Sequence, residues 1–313
     1  VPRRLLAAGL LLCCAATSAE ELPEIGDTKI DEYHGLLVDS VSTAATWLDS
    51  FFRDENYLDE ANTTSFRLET SSFTEAREGT EFKAKVRLRL RLPHLEDRLL
   101  LFVSGATEDF TTSGSDWEEF DDEITSSDED SASVGLRYFF REDARSNTSL
   151  SGGVRFRSGS PLAYVRPRYR YLKRFPTFNL RFIQRVSLFT DGDIDARTQV
   201  QYERFFDRDW FFRNEARLDW YNDEEGLFPK LFFELSHRLS ERRVLAAEWR
   251  NFFETEPNGV LDSSVLKLRY RQQTWRRWLW FEIAPQVKFP REDDYDFTPG
   301  IQVKLEARFE RDS

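Results

Sequence analysis

Lys83, Lys85, Arg87, Arg89 and Arg91 take every second position of the stretch from Phe82 to Leu92, and apolar residues fill the positions between them. Cations spaced in this way raise the local concentration of anions. Where such rows surround a passage, they select among ions. The same alternate spacing returns in Arg137, in Arg155 and Arg157, in Arg166, Arg168 and Arg170, and in Arg181 and Arg185. No acid shares those faces except Glu81 at one edge. Further along the chain the rows are mixed. Arg197, Arg213, Arg217, Lys230, Arg238, Arg250, Lys267, Arg269, Arg271, Lys288, Lys304 and Arg308 are opposed there by Glu203, Glu215, Asp219, Glu234, Glu248, Glu282 and Glu306.

The second chemical feature is an acidic segment. Residues 108–130 hold eleven acids and no base, which accounts for nearly all of the net charge of −12. Asp116, Glu118, Glu119, Asp121, Asp122 and Glu123 crowd around Trp117 and Phe120. Three readings stand: a solvated loop, a constriction loop folded onto the arginine wall with the two aromatics as anchors, or a calcium site. Oxygen ligands are plentiful, but the spacing of a calcium loop is missing. The shorter Thr190-Asp191-Gly192-Asp193-Ile194-Asp195 is a weaker signal of the same kind.

Enzyme chemistry finds little support, and no catalytic residue is assigned. The chain has three histidines, His34, His94 and His237. Ser236 and His237 are adjacent, and adjacent residues of a strand point to opposite faces, so they form no direct dyad; a dyad drawn from other strands stays open. No phosphate-binding glycine loop and no zinc spacing occurs. Neither cofactor nor metal is therefore expected, and nucleic acid is not expected as a partner of an exported chain.

The elements that must carry these residues follow from the alternation itself. A period of two is that of a β-strand, with one wholly apolar and one wholly cationic face. The pattern recurs about every 15–20 residues to the end of the chain. Fourteen strands are expected, centred near residues 67, 87, 102, 136, 154, 167, 183, 201, 216, 233, 249, 267, 283 and 304, with twelve as the second choice. Compact connections at 93–97, 141–147, 173–176, 206–209, 239–242 and 272–276 alternate with acidic ones, including 108–130, 190–195, 222–226, 254–259 and 290–297. Short turns on the periplasmic side and longer loops outside are the habit of membrane barrels. With fourteen strands, every acidic loop falls outside and both ends of the barrel segment fall on the periplasmic side.

The N-terminal region reads differently. Residues 1–19 combine a basic start, an apolar run from Leu5 and a small-residue cleavage point after Ala19, as in a signal peptide. Both cysteines lie within it. Lipid modification is not expected, because Leu12 precedes Cys13. Residues 20–62 form a periplasmic segment in which 31–52 shows helical spacing of Leu36, Leu37, Ala44, Ala45, Trp47, Leu48, Phe51 and Phe52. That helix is expected to pack on or cap the barrel, with a periplasmic partner as the alternative. No apolar run approaches the roughly 20 residues of a membrane helix.

The fold class is thus all-β: a transmembrane antiparallel β-barrel over 63–313. A soluble all-β protein with the apolar face inward is the main alternative, but the interior of a barrel grows with strand number, and fourteen strands would leave a hole that side chains could not fill. An open lipid-carrying sheet would escape that objection. The last strand, Gly300-Ile301-Gln302-Val303-Lys304-Leu305-Glu306-Ala307-Arg308-Phe309, resembles the C-terminal strand of outer-membrane β-barrel proteins of the porin-like kind, although four residues follow its aromatic. The resemblance is architectural. It implies residence in the outer membrane of a Gram-negative bacterium, outer-membrane lipid as surroundings, and recognition of the last strand by the barrel assembly machinery. The expected function is passive passage of small hydrophilic solutes, anions favoured, through the arginine- and lysine-lined lumen. The alternatives are a non-conducting structural or assembly-partner barrel and, third, an outer-membrane lipid hydrolase.

Overall fold

A computed structural model describes residues 64–76, 79–91, 98–108, 131–143, 145–157 and 160–310. The signal peptide 1–19, the helix 31–52, His94 and the acidic residues Asp116, Glu118, Glu119, Asp121, Asp122 and Glu123 lie outside the described residues.

Fourteen strands form in chain order: β1 (Ser65–Glu75), β2 (Gly79–Arg91), β3 (Leu99–Glu108), β4 (Ser131–Glu142), β5 (Ser146–Arg157), β6 (Ser160–Arg174), β7 (Asn179–Phe189), β8 (Ile194–Phe205), β9 (Trp210–Tyr221), β10 (Phe228–Ser240), β11 (Arg243–Glu254), β12 (Val260–Gln273), β13 (Leu279–Pro290) and β14 (Thr298–Glu310). Each pairs with its sequence neighbours, and β1 pairs with β14, so the sheet closes into a barrel. All pairings are antiparallel; at the seam Ser71 stands opposite Lys304 and Phe66 opposite Phe309. Closure leaves no strand edge with unpaired N–H and C=O groups, which is what a bilayer demands of a sheet. All fourteen expected strands are present. At the end where β1 begins and β14 finishes every connection is short; at the other end β1–β2 and β5–β6 are as short, and the longest connection, between β3 and β4, lies there too.

The faces sort by chemistry in the reverse of a soluble protein. Leu68, Val86, Val103, Leu136, Leu150, Val165, Phe182, Val200, Leu218, Leu235, Leu266 and Val303 are exposed on the outside. Arg137, Arg155, Arg168, Arg181, Glu203, Glu215, Asp219, Glu248 and Glu282 are buried inside. A monomer in water does not expose an apolar band of this extent. The inside-out sorting excludes the soluble alternative, whose strands would have turned the apolar face inward, and closure excludes the open sheet. Aromatics crowd the two rims of the band: Phe140, Phe206, Trp210, Trp275, Trp278 and Phe309 at the short-turn end, and Phe82, Phe156, Trp220 and Phe297 at the other. Strands of 10 to 15 residues at about 3.3 Å per residue, tilted by about 40°, suit the height of a hydrocarbon core.

Local chemistry sets the ends of strands. In the β7–β8 turn, Gly192 has φ +101°, a conformation open to glycine and strained for residues with a Cβ. The Asp191 carboxylate accepts the Asp193 N–H at 3.1 Å and fixes that turn. In the β4–β5 turn, Asp143 Oδ1 accepts the backbone N–H groups of Arg145 (2.9 Å) and Ser146 (2.6 Å), while Oδ2 takes Arg141 Nε at 2.6 Å. Those three donors hold the Asp143 carboxyl well below the usual carboxylate range, the backbone N–H of Ser146 contributing most.

Candidate functional site: the inward wall

The barrel turns one residue in two toward its axis, so the inward wall is built strand by strand from alternate positions. On β6 these are Tyr164, Arg166, Arg168, Arg170 and Leu172; on β7, Arg181, Ile183, Arg185 and Ser187. β4 and β5 answer with small residues, Ser133, Ser149 and Ser151. The serines leave room for long arginines from the adjoining strands and supply acceptors. Arg137 Nε donates to Ser151 Oγ at 3.0 Å, and Arg166 Nε donates to Ser187 Oγ at 2.8 Å.

Register places cations side by side. Arg168 is opposite Arg185, and Arg185 is opposite Arg197. Like charges directly opposed in a ladder repel. On β2 the inward row Lys83, Lys85, Arg87 and Arg89 runs beside β1, where Arg67 meets Arg87 and Glu69 meets Lys85. Arg91 is exposed at the last position of β2. Arg157 holds its place on β5 opposite Ser160, but its side chain lies outside the described residues. The cations of this wall do not stand bare: Lys83, Lys85, Arg87, Arg89, Arg91, Arg137, Arg155, Arg168, Arg170, Arg181 and Arg185 all take part in polar, ring or electrostatic contacts.

From β8 round to β1 the wall is a network of shared carboxylates. Asp219 takes Arg197 at 2.5 Å, Arg217 at 2.9 Å and Lys230 at 3.3 Å. Glu306 takes Arg67 at 3.0 Å, Arg308 at 2.5 Å and Arg271. Glu248 takes Arg250 at 2.7 Å and Arg269 at 2.8 Å, and Glu69 takes Lys304 at 3.0 Å. Arg217–Asp219, Arg250–Glu248 and Arg308–Glu306 lie within one strand, and the other pairs join neighbouring or next-neighbour strands, so the network runs along the wall. Sharing runs both ways: Asp219 and Glu306 each serve three cations, while Arg213, Arg269 and Arg271 each bridge two carboxylates.

The alternation missed two kinds of inward residue. One is Glu69, on the polar-looking β1. The other is a set of inward aromatics that carry guanidinium groups over their faces: Arg166 over Tyr164 at 4.8 Å, Arg213 over Phe211 at 5.4 Å, Arg250 over Phe232 at 5.4 Å, and both Arg271 and Arg308 over Trp280 at 5.2 Å. A cation held on a ring face gains electrostatically and is turned along the wall. An aromatic two residues from an arginine, as in Tyr164-Val165-Arg166 and Phe211-Phe212-Arg213, is the sequence signal that could have found the first two.

Chemically this wall can attract and hold oxyanions. Ser236 Oγ donates to Glu234 at 2.5 Å inside the barrel, while the His237 ring stacks on Trp210 at 4.2 Å on the outer side; the two form no dyad. Among the described residues, no group of three or more His, Cys, Asp or Glu side chains is placed to hold a metal ion.

No family model matches the chain, and no curated protein matches it. Among solved structures it is similar in outline to a bacterial polysaccharide outer membrane secretin (10% identity, 79% of this chain and 99% of that chain, TM-score 0.47). A loop L8 deletion mutant of OmpT, an outer membrane protein of Vibrio cholerae, matches at 8% identity over 79% of this chain and 98% of that one, TM-score 0.47. The outer membrane protein Omp33 of Acinetobacter baumannii matches at 10% identity over 79% and 99%, TM-score 0.44.

Proposed function

We propose that this chain is an outer-membrane channel of the porin-like kind, through which small hydrophilic solutes pass passively and anions are favoured. The observation that carries it is the inside-out sorting of a closed barrel, apolar toward lipid and charged toward the axis. Anion preference is supported by the arginine wall of β4–β7, by the β2 row, and by Asp219 and Glu306, which each serve three cations. Water in the bore screens these charges only over the Debye length, about 10 Å at 0.1 M salt. In this reading the short-turn end faces the periplasm, and β14, with Phe309 exposed beside Phe66 of β1, is the strand offered to the assembly machinery.

A second reading, a barrel without an open bore that serves as a structural or assembly partner, is favoured by one observation. Arg155 and Arg181 retain only 2% and 1% of their accessible surface although both point to the axis. Planar-bilayer recording separates the two. Discrete conductance steps from the purified, folded chain are expected of the channel; a folded barrel that inserts and never conducts belongs to the second reading. Recovery of the chain as a soluble periplasmic protein would remove both.

A further inference from the structure

The two ends of the barrel carry opposite charge. Among the described residues, eleven Arg and Lys residues are exposed against four acids around the turns 143–145, 175–178, 206–209, 241–242 and 274–278 and at the entry to β3. Around the turns 190–193, 222–227, 255–259 and 291–297 at the far end, eight acids are exposed against a single cation among the described residues, Arg291. That arginine lies 3.8 Å from Glu254.

The basic rim is also the more aromatic one, and two of its cations lie over rings. Lys173 Nζ sits 4.8 Å from the centre of the Phe175 ring, and the Arg204 guanidinium 5.2 Å from that of Phe206. Trp275 is 81% exposed immediately before Arg276 and Arg277. Trp278 stacks on Phe309 at 5.3 Å. Rings in the aromatic girdles of a membrane barrel sit at its two interfaces with water, at the level of the lipid headgroups. A cation tethered to such a ring is held at the depth of the phosphates, where anionic lipid attracts Lys and Arg and the attraction fades within a Debye length.

We propose that the short-turn rim is a docking surface for anionic phospholipid, recognised through its headgroup phosphate and net negative charge, in the leaflet that this end of the barrel faces. The proposal rests on the reading that the barrel spans a bilayer, and it is independent of whether the bore conducts. The acidic far end repels the same headgroups, so the two ends discriminate between leaflets.

The test uses the folded full chain in detergent, equilibrated with an equimolar mixture of phosphatidylglycerol and phosphatidylcholine, with retained lipid quantified by native mass spectrometry. Several-fold enrichment of phosphatidylglycerol is expected, falling toward parity in about 0.5 M salt, where the screening length is only a few ångströms. The combined variant Arg204→Gln, Arg242→Gln, Arg276→Gln and Arg277→Gln should lose most of the enrichment. The matching Arg→Lys variant should keep it, as should Asp223→Asn with Glu224→Gln and Glu225→Gln at the other end. Equal retention of both lipids by the folded wild type, enrichment indifferent to salt, or enrichment undiminished in a folded glutamine variant would overturn the proposal. A chain that fails to fold in bilayers of either lipid would overturn the membrane reading beneath it and the proposal with it.

Discussion

Arg197 Nε lies 2.5 Å from Asp219 Oδ1 across β8 and β9, while on its other side Arg197 stands directly opposite Arg185. The carboxylate therefore ends a row of three opposed arginines, Arg168, Arg185 and Arg197, and also serves Arg217 and Lys230. Removing one partner of a buried ion pair leaves an uncompensated charge and costs about 3–5 kcal/mol. Asp219→Asn should lower the unfolding free energy of the barrel in vesicles by a few kcal/mol and shift the reversal potential further toward anions. Stability equal to wild type would show that water, not Asp219, compensates the row.

Phe73 crosses the inner wall over a glycine. A Cβ at Gly300 would meet Phe73 Cε2 and Cζ at 2.9 Å, and the ring clusters with Phe252 and Val265. An aromatic covering a strand glycine in this way pins register. Phe73→Ala should cost about 3–5 kcal/mol, as for other buried Phe, and raise single-channel conductance by removing bulk from the bore. Gly300→Val should destabilise by displacing the ring, and less so when combined with Phe73→Leu. Unchanged conductance in a folded Phe73→Ala barrel would place the narrowest point elsewhere.

The outer face should reject charge. Val200 is exposed at the middle of β8, between girdles. Val200→Arg should cost about 2–4 kcal/mol, the penalty of a cation on the lipid face near the bilayer midplane, whereas Val200→Leu should be nearly neutral. Reversible unfolding from vesicles measures both. A harmless Val200→Arg would mean that this face meets water or protein.

The fold was legible because β2 and β6 alternate so strictly that face, period and membrane sorting follow from Lys83–Arg91 and Arg166–Arg170 alone. β1 was less legible. Its outward positions Thr70, Ser72 and Thr74 are hydroxyls, and the hydroxyls of Thr74 and Thr80 meet each other at 2.9 Å on β1 and β2. With both faces polar the alternation fades, and Glu69 was missed. The inward aromatics escaped for a related reason: Phe73 and Trp280 break a polar-in rule that looks only at hydrophobicity. Parity also slips at bulges, between Phe139 and Arg141, Arg238 and Ser240, and Phe252 and Phe253. Which cations face one another was beyond the sequence altogether. Arg168 meets Arg185 because of register, and register is a property of paired strands, not of either strand alone.

The Asp143 turn gives a pH signature. Its carboxyl is held below the ordinary value of 3.8 by the N–H groups of Ser146 and Arg145 and by Arg141. A group with a depressed folded pKa adds stability that is complete above the unfolded value and fades as pH falls through the folded one. The contribution should thus be intact at pH 5, decline below about 3.9 and vanish in stronger acid. Asp143→Ala should remove that slope from the acid limb of an unfolding titration, and Asp143→Asn should leave the turn capped but flat in pH. An unchanged acid limb in Asp143→Ala would count against the geometry of the turn.

The reversal potential across a planar bilayer under a salt gradient tests the central claim, a water-lined bore with a cationic wall, most directly. The account predicts anion preference at low salt that fades as salt rises, and a reduction or reversal of that preference when Arg87, Arg89 and Arg168 are changed to Glu. Cation preference of the wild type at low salt would contradict it.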